Sequence, residues 1–269
     1  MKALNFCCFL LAVVTIFGCG DNSPKSKELQ SAGNNVRLYA IRYGVSGFST
    51  KELFAEPEEI KNVPFHWLFY LIISPEKKIL VDTGFYQEQF RNLFGISLEN
   101  PDAILTRMGY PPKSITDVIL THGHFDHIGG VVKYPEARIH ITKKAFNVIQ
   151  SQKQLPEVRR FLKESQHVTQ YDGSYALDEN IFIQEIGGHS PGSCVVYINL
   201  DGEKILLTGD EAYVDENIID KKPVGSAVDP AANKRFIEQA AESKIRFFTF
   251  HSPNVVKGEE SWREIKKAK

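Results

Sequence analysis

Four residues with metal-binding side chains fall within six positions: His122, His124, Asp126 and His127, in the run Thr121-His122-Gly123-His124-Phe125-Asp126-His127-Ile128-Gly129-Gly130. Neutral imidazole and carboxylate suit zinc and similar divalent cations. In an extended or turning segment alternate residues point the same way. His122 and His124 can therefore converge on one ion while Asp126 and His127 swing toward a second. A lone histidine on a loop would read as a surface residue, but a cluster of this density marks a metal or catalytic site. The preceding segment, 117–121, is apolar and β-branched and reads as a buried strand. The cluster thus sits on the loop leaving a strand's C-terminal end, where α/β sheets build their sites.

The pattern His-x-His-x-Asp-His resembles the signature of the metallo-β-lactamase superfamily, and further pieces of that family's site follow in order. Gly188-His189-Ser190-Pro191-Gly192-Ser193 looks like its third-histidine turn, Leu206-Leu207-Thr208-Gly209-Asp210 like its bridging-aspartate strand end, and Phe248-Thr249-Phe250-His251 like its last histidine. The resemblance spans residues 36–255 and implies an α/β fold, a four-layer αβ/βα sandwich with metals along one edge between the sheets. It implies one ion on His122, His124 and His189, a second on Asp126, His127 and His251, and Asp210 bridging them. The implied cofactors are two divalent metal ions, zinc first among them; iron, manganese and cobalt stay open because these ligands choose weakly. The implied chemistry is hydrolysis by a hydroxide bridging the two ions. A structural zinc site favours cysteine-rich ligand sets, and this set has no cysteine.

Tyr213 follows Asp210 by three residues, and Phe125 lies inside the metal loop. Together they resemble the N-acyl homoserine lactonase branch of the superfamily, in which the tyrosine hydroxyl contacts the lactone. The resemblance makes Tyr213 a catalytic donor to the developing oxyanion and Asp126 the carrier of a proton to the leaving alkoxide. A tyrosine placed there for packing alone is the competing reading. The implied partner is a small-molecule lactone or a related ester or amide. Alternatives are a metallo-β-lactamase, another ester, thioester or organophosphate hydrolase of the same fold, or a non-enzymatic, metal-stabilised surface-binding lipoprotein. Phe48, Phe54, Phe65 and Trp67 are positioned to line an acyl groove.

The rest of the chain supplies the elements that hold these residues. Strands are expected at 36–43, 66–73, 78–81, 137–141, 181–186, 194–198, 204–208 and 245–250, and helices at 87–94, 101–108, 143–154, 155–166, 231–241 and 259–267. Asn100 before Pro101 reads as a helix N-cap. Residues 44–60, broken by Gly47 and Pro57, read as a loop shaping substrate access. Asp82-Thr83-Gly84 follows a strand directly, and the aspartate either orients a metal ligand or makes an Asx turn. A net charge of −1 gives no electrostatic case for nucleic acid. Three of four cysteines lie in the first nineteen residues, so Cys194 has no partner for a disulfide within the body. Residues 1–18 read as a secretory signal, and Ile16-Phe17-Gly18-Cys19 resembles a bacterial lipobox. A cleaved signal or an uncleaved anchor are its alternatives. Residues 19–35 read as a polar, flexible tether and 36–269 as the hydrolase domain, exported to the cell envelope and lipid-anchored through Cys19, or periplasmic. The oligomeric state is not written in these residues.

Overall fold

Along the first strand, β1 (Arg37–Ser49), Leu38 and Ala40 enter one core while Tyr39 and Ile41 enter another. The same period of two sorts β2 (Asn62–Ile73): Leu68, Tyr70 and Ile72 face the first core, and Trp67, Phe69 and Leu71 the second. A strand apolar on both sides must be covered on both. In this computed structural model, which describes residues 36–268, a second sheet covers one side and helices cover the other. The expected signal segment and tether, residues 1–35, lie outside the described residues.

A one-turn helix, α1 (Thr50–Leu53), joins β1 to β2, and β3 (Lys78–Val81) follows as the other arm of a hairpin. Then come α2 (Glu88–Leu93), β4 (Ser97–Leu98) and α3 (Pro101–Arg107), whose Asn100 caps it by accepting from the Asp102 and Ala103 amides. Next are β5 (Asp117–Ile119), α4 (Phe125–Ile128), β6 (Arg138–Thr142), α5 (Lys143–Ser151), α6 (Pro156–Glu164) and β7 (Val168–Tyr171). The second half comprises β8 (Ser174–Ala176), β9 (Ile181–Glu185), β10 (Cys194–Leu200), β11 (Glu203–Leu207), α7 (Asp215–Ile219), α8 (Pro230–Ser243), β12 (Arg246–Phe248) and β13 (Trp262–Ile265). One sheet runs β13-β1-β2-β3-β5-β6-β7 with β4 on β1, and the other runs β12-β11-β10-β9-β8. Between the sheets lie Leu68, Ile79, Val81 and Ile119 against Ile183, Val196, Ile198 and Leu207. Ile104, Ile149, Val158 and Leu162 cover the outer face of the first sheet, and Ile218, Phe236 and Ile237 that of the second. This is the four-layer αβ/βα arrangement.

Two expected assignments are overturned, and β4, β7, β8 and α7 were not anticipated. Residues 44–49 are not loop: β1 continues past an irregularity at Arg42/Gly44 and pairs with β2 as far as Ser49↔Asn62. A Cβ at Gly44 would lie 2.8 Å from Ile96 and 3.3 Å from Trp67, so glycine there lets layers close rather than breaking the strand. The second is the expected helix at 259–267. It is β13, antiparallel to β1 with Leu38↔Ile265 in register. Trp262 packs on the helix-side core and Ile265 between the sheets. Residues three apart reach opposite faces in a strand but share a face in a helix, and this edge needs both faces filled.

Candidate metal centre

β3 and β5 run parallel and end side by side, and the chain beyond β5 carries the histidine cluster. His122 and His124 lie on the extended segment. The single turn α4 then reverses direction and buries Asp126 and His127. The second sheet delivers the rest: His189 from the turn between β9 and β10, Asp210 just past β11, and His251 just past β12. The Cys194 amide donates to the Thr121 carbonyl at 2.9 Å, tying the two sheets at this edge.

All seven sequence-predicted ligand residues come together in two groups that share Asp210. One is His122, His124, His189 and Asp210; the other is Asp126, His127, Asp210 and His251, with the ligand atoms of each group within 4.8 Å of one another. In the first, His124 Nδ1 is 3.0 Å from both His122 Nε2 and His189 Nε2. Imidazole nitrogens around a tetrahedral zinc stand about 3.3 Å apart, so three converging nitrogens at this spacing match a shared cation. In the second, His127 Nε2 lies 3.0 Å from Asp126 Oδ2 and 3.2 Å from Asp210 Oδ1, and His251 Nε2 is 3.2 Å from the same Asp210 oxygen. Yet His127 Nε2 and Asp210 Oδ1 are buried with no hydrogen-bond partner. Leaving such atoms unpaired is costly, and a cation between them satisfies both. On donor chemistry and on these orphaned atoms, the residues fit a pair of divalent ions.

The Nδ1 atoms of His122, His127 and His251 have partners. His127 Nδ1 donates to Asp82 Oδ2 at 2.7 Å, and Asp82 also accepts from the Thr121 amide at 2.8 Å and hydroxyl at 2.7 Å. Asp82 therefore orients a metal-site histidine and bonds the strand end as well, so its two sequence readings coexist. With its proton given to Asp82, Thr121 Oγ1 accepts from His122 Nδ1 at 3.1 Å. His251 Nδ1 donates to the His66 carbonyl at 2.9 Å. These partners fix the tautomers with Nε2 free toward the centre. Burial pushes His122 well below its usual pKa and His189 down to about 3, keeping both imidazoles neutral. Burial opposes charge on His127, but Asp126, Asp210 and Asp82 outweigh it and hold its pKa well above the imidazole range. The carboxylates call for positive charge here, which a cation can supply in a proton's place.

Sequence reasoning missed Glu211, a buried carboxylate next to Asp210. It accepts from the Gly188 amide at 3.0 Å, the His189 amide at 3.1 Å and Asn233 Nδ2 at 3.0 Å, besides the Ser193 hydroxyl. It ties the His189 turn to the Asp210 strand end and to α8. A Cβ at Gly188 would meet Glu211 Oε2 at 2.5 Å and the Asn233 amide at 2.6 Å, so the turn can close only on glycine. The signal was visible: an acidic residue directly after Leu206-Leu207-Thr208-Gly209-Asp210 needs donors. Tyr43 was also missed; its hydroxyl holds the Asp126 carbonyl at 3.0 Å.

Beside the two groups opens a cavity of about 440 Å³ lined by Phe48, Phe65, Trp67, Phe94, Phe125 and Tyr213, with His124, Asp126, Asp210 and His251 at its floor. Phe48, Phe65 and Trp67 lie where an acyl groove needs them; Phe54 faces a separate cavity beside Pro57 and Lys222. Tyr213 Oη is 2.7 Å from Ser226 Oγ and 3.3 Å from His189 Nδ1. Burial, reinforced by Asp210, holds its pKa well above the phenol range, so it stays protonated and can donate. His140, on β6, is buried with Nε2 2.9 Å from Asp117 Oδ1 and takes no part in the centre.

A profile of the metallo-beta-lactamase superfamily matches residues 68–246. The chain belongs to this superfamily. It is a hydrolase of that fold, and its relatives narrow the comparison. An N-acyl homoserine lactonase from Bacillus cereus is 28% identical over 220 residues, covering 75% of this chain and 86% of the relative. The structure of a quorum-quenching N-acyl homoserine lactone hydrolase superposes with a TM-score of 0.69 at 25% identity, covering 81% of this chain and 93% of that one. AidC, a dizinc quorum-quenching lactonase, shares the fold with a TM-score of 0.67 at 24% identity, covering 87% and 95%.

Proposed function

We propose that this protein hydrolyses the lactone ring of N-acyl homoserine lactones at a dinuclear metal centre, in which His122, His124 and His189 hold one ion, Asp126, His127 and His251 the other, and Asp210 both. The observation that carries the reading is Tyr213: a protonated phenol opening into an aromatic cavity whose floor is the two ligand groups. Two divalent cations in these positions, zinc being the first choice, would supply a hydroxide nucleophile at neutral pH and polarise the scissile carbonyl. The chain's own residues do the rest. Phe48, Phe65, Trp67 and Phe94 take the acyl tail and exclude water from it. The Tyr213 hydroxyl donates to the oxygen on which charge builds as the carbonyl becomes tetrahedral. Its oxygen is held by Ser226 and by His189, whose Nδ1–H donates when Nε2 faces the centre. Asp126, buried at the cavity floor, carries the released proton to the ring oxygen as the C–O bond breaks, leaving a hydroxy acid. Export to the cell envelope with Cys19 as the lipid attachment point and residues 19–35 as the tether completes the proposal.

The test is a hydrolysis panel on the purified 36–269 domain, metal-loaded and chelated, with an N-acyl homoserine lactone, a cephalosporin and S-lactoylglutathione. Metal-dependent turnover of the lactone is expected; hydrolysis confined to the cephalosporin would overturn the substrate assignment.

A further inference from the structure

The wall of the reaction cavity has three polar side chains outside the ligand set and Tyr213: Ser49, Glu52 and Ser226. Two are engaged. Ser49 Oγ caps α1 by accepting the Lys51 amide, and Ser226 Oγ bonds Tyr213. The Glu52 carboxylate has no hydrogen bond or ion pair with any described residue, although Lys51 and Lys61 lie nearby in sequence. Glu52 is exposed, so its unpaired carboxylate is a hydrated charge at the cavity's edge with no packing role.

Its backbone is held firmly. The Glu52 carbonyl accepts from the Gly225 amide at 3.0 Å, the Leu53 carbonyl from Asn217 Nδ2 at 2.9 Å, and the Ala55 amide donates to the Pro223 carbonyl at 2.8 Å. A Cβ on Gly225 would overlap the Lys51 carbonyl, so this clamp closes only on glycine. α1 is thus fixed against the 223–225 segment, and the Glu52 side chain starts from a fixed point at the cavity.

We infer that Glu52 is a specificity-determining residue that sorts ligands of this cavity by charge, admitting uncharged lactones and repelling carboxylates. The inference rests on the proposed lactonase reading and deepens it. An N-acyl homoserine lactone is uncharged, whereas ring opening turns it into a carboxylate. One fixed negative charge then favours entry of the substrate over rebinding of the product. The same charge disfavours lactones with a carboxylate on the acyl tail, and β-lactams, which carry one beside the ring.

The experiment compares wild type, Glu52→Gln, Glu52→Lys and, as a control for surface charge, Glu56→Gln. Two quantities are read. The first is the ratio of kcat/KM for N-butanoyl homoserine lactone to that for its N-succinyl analogue. The second is the Kd of ring-opened N-butanoyl homoserine, followed by fluorescence of Trp67 in the cavity wall. At low salt, Glu52→Gln is expected to lower the ratio and tighten product binding by about threefold each, and Glu52→Lys by more. Both effects should shrink in 0.5 M salt, and Glu56→Gln should show neither. Glu52 has no partner to lose, so the substitution leaves none unsatisfied. A ratio and a product Kd unchanged in Glu52→Gln, or effects equal for neutral and anionic ligands, would overturn the inference while leaving the lactonase reading intact. No turnover of any lactone by wild type would overturn that reading, and this inference with it.

Discussion

The two ligand groups reach similar geometry by different physics. The first is built of three neutral imidazoles and the shared Asp210, and Glu211 and Gly188 lock the turn that carries His189. The second contains two buried carboxylates and two imidazoles, and both orphaned buried atoms of the centre, His127 Nε2 and Asp210 Oδ1, belong to it. The first is therefore a geometric trap that folds without conflict. The second is an electrostatic trap whose carboxylates call for positive charge, which a bound cation would supply in place of a proton on His127. A pair of ions bound by unlike sites should differ in how they respond to damage.

The largest effect is expected at the shared residue. Asp210→Ala removes a ligand from both groups, and activity should fall by at least ~10³-fold with loss of both ions, read by elemental analysis beside lactone turnover. Next comes Tyr213→Phe, which leaves the ligands in place; kcat should fall about 10²-fold at unchanged metal content, the scale of one lost donor to an oxyanion. Two further variants split the groups. Asp82→Ala frees His127 and should weaken one equivalent of metal by roughly 10–100-fold, whereas Glu211→Gln loosens the His189 turn and should weaken the other. Stepwise chelation read by metal content separates the two, and identical release curves for both variants would erase the distinction between the groups.

The smallest effect lies outside the centre. Burial raises the pKa of Asp117, but bonds from His140, Thr116 and Arg138 outweigh it and bring it down to about 2. A carboxyl depressed on folding contributes stability above its unfolded value, about 3.9, and loses it as pH falls toward about 2. Asp117→Asn should cost about 1 kcal/mol at pH 7, a Tm shift of roughly 2–4 °C. The gap to wild type should close between pH 4 and 2 in thermal melts of the 36–269 domain.

What could be read from sequence follows the same physical divide. The candidate ligand set was legible as a cluster because its chemistry is local: dense imidazole and carboxylate at strand ends have few other uses. Strands such as β2 and β10 were legible as runs of β-branched and aromatic residues. β13 was not, because its four residues satisfy two cores that only the folded sheet edge creates. The extension of β1 past Gly44 was hidden for a related reason: the glycine is required by the approach of Ile96 and Trp67, which no local pattern announces. Glu211 escaped because a lone acid in sequence reads as surface, and only the folded His189 turn supplies the donors that bury it.

The measurement that bears most directly on the account is the metal content of the pure, folded 36–269 domain, taken on the preparation whose lactone hydrolysis is assayed. Two equivalents of transition metal per chain are expected, with turnover that disappears on chelation and returns when metal is restored. Undiminished hydrolysis by protein stripped of metal would contradict it.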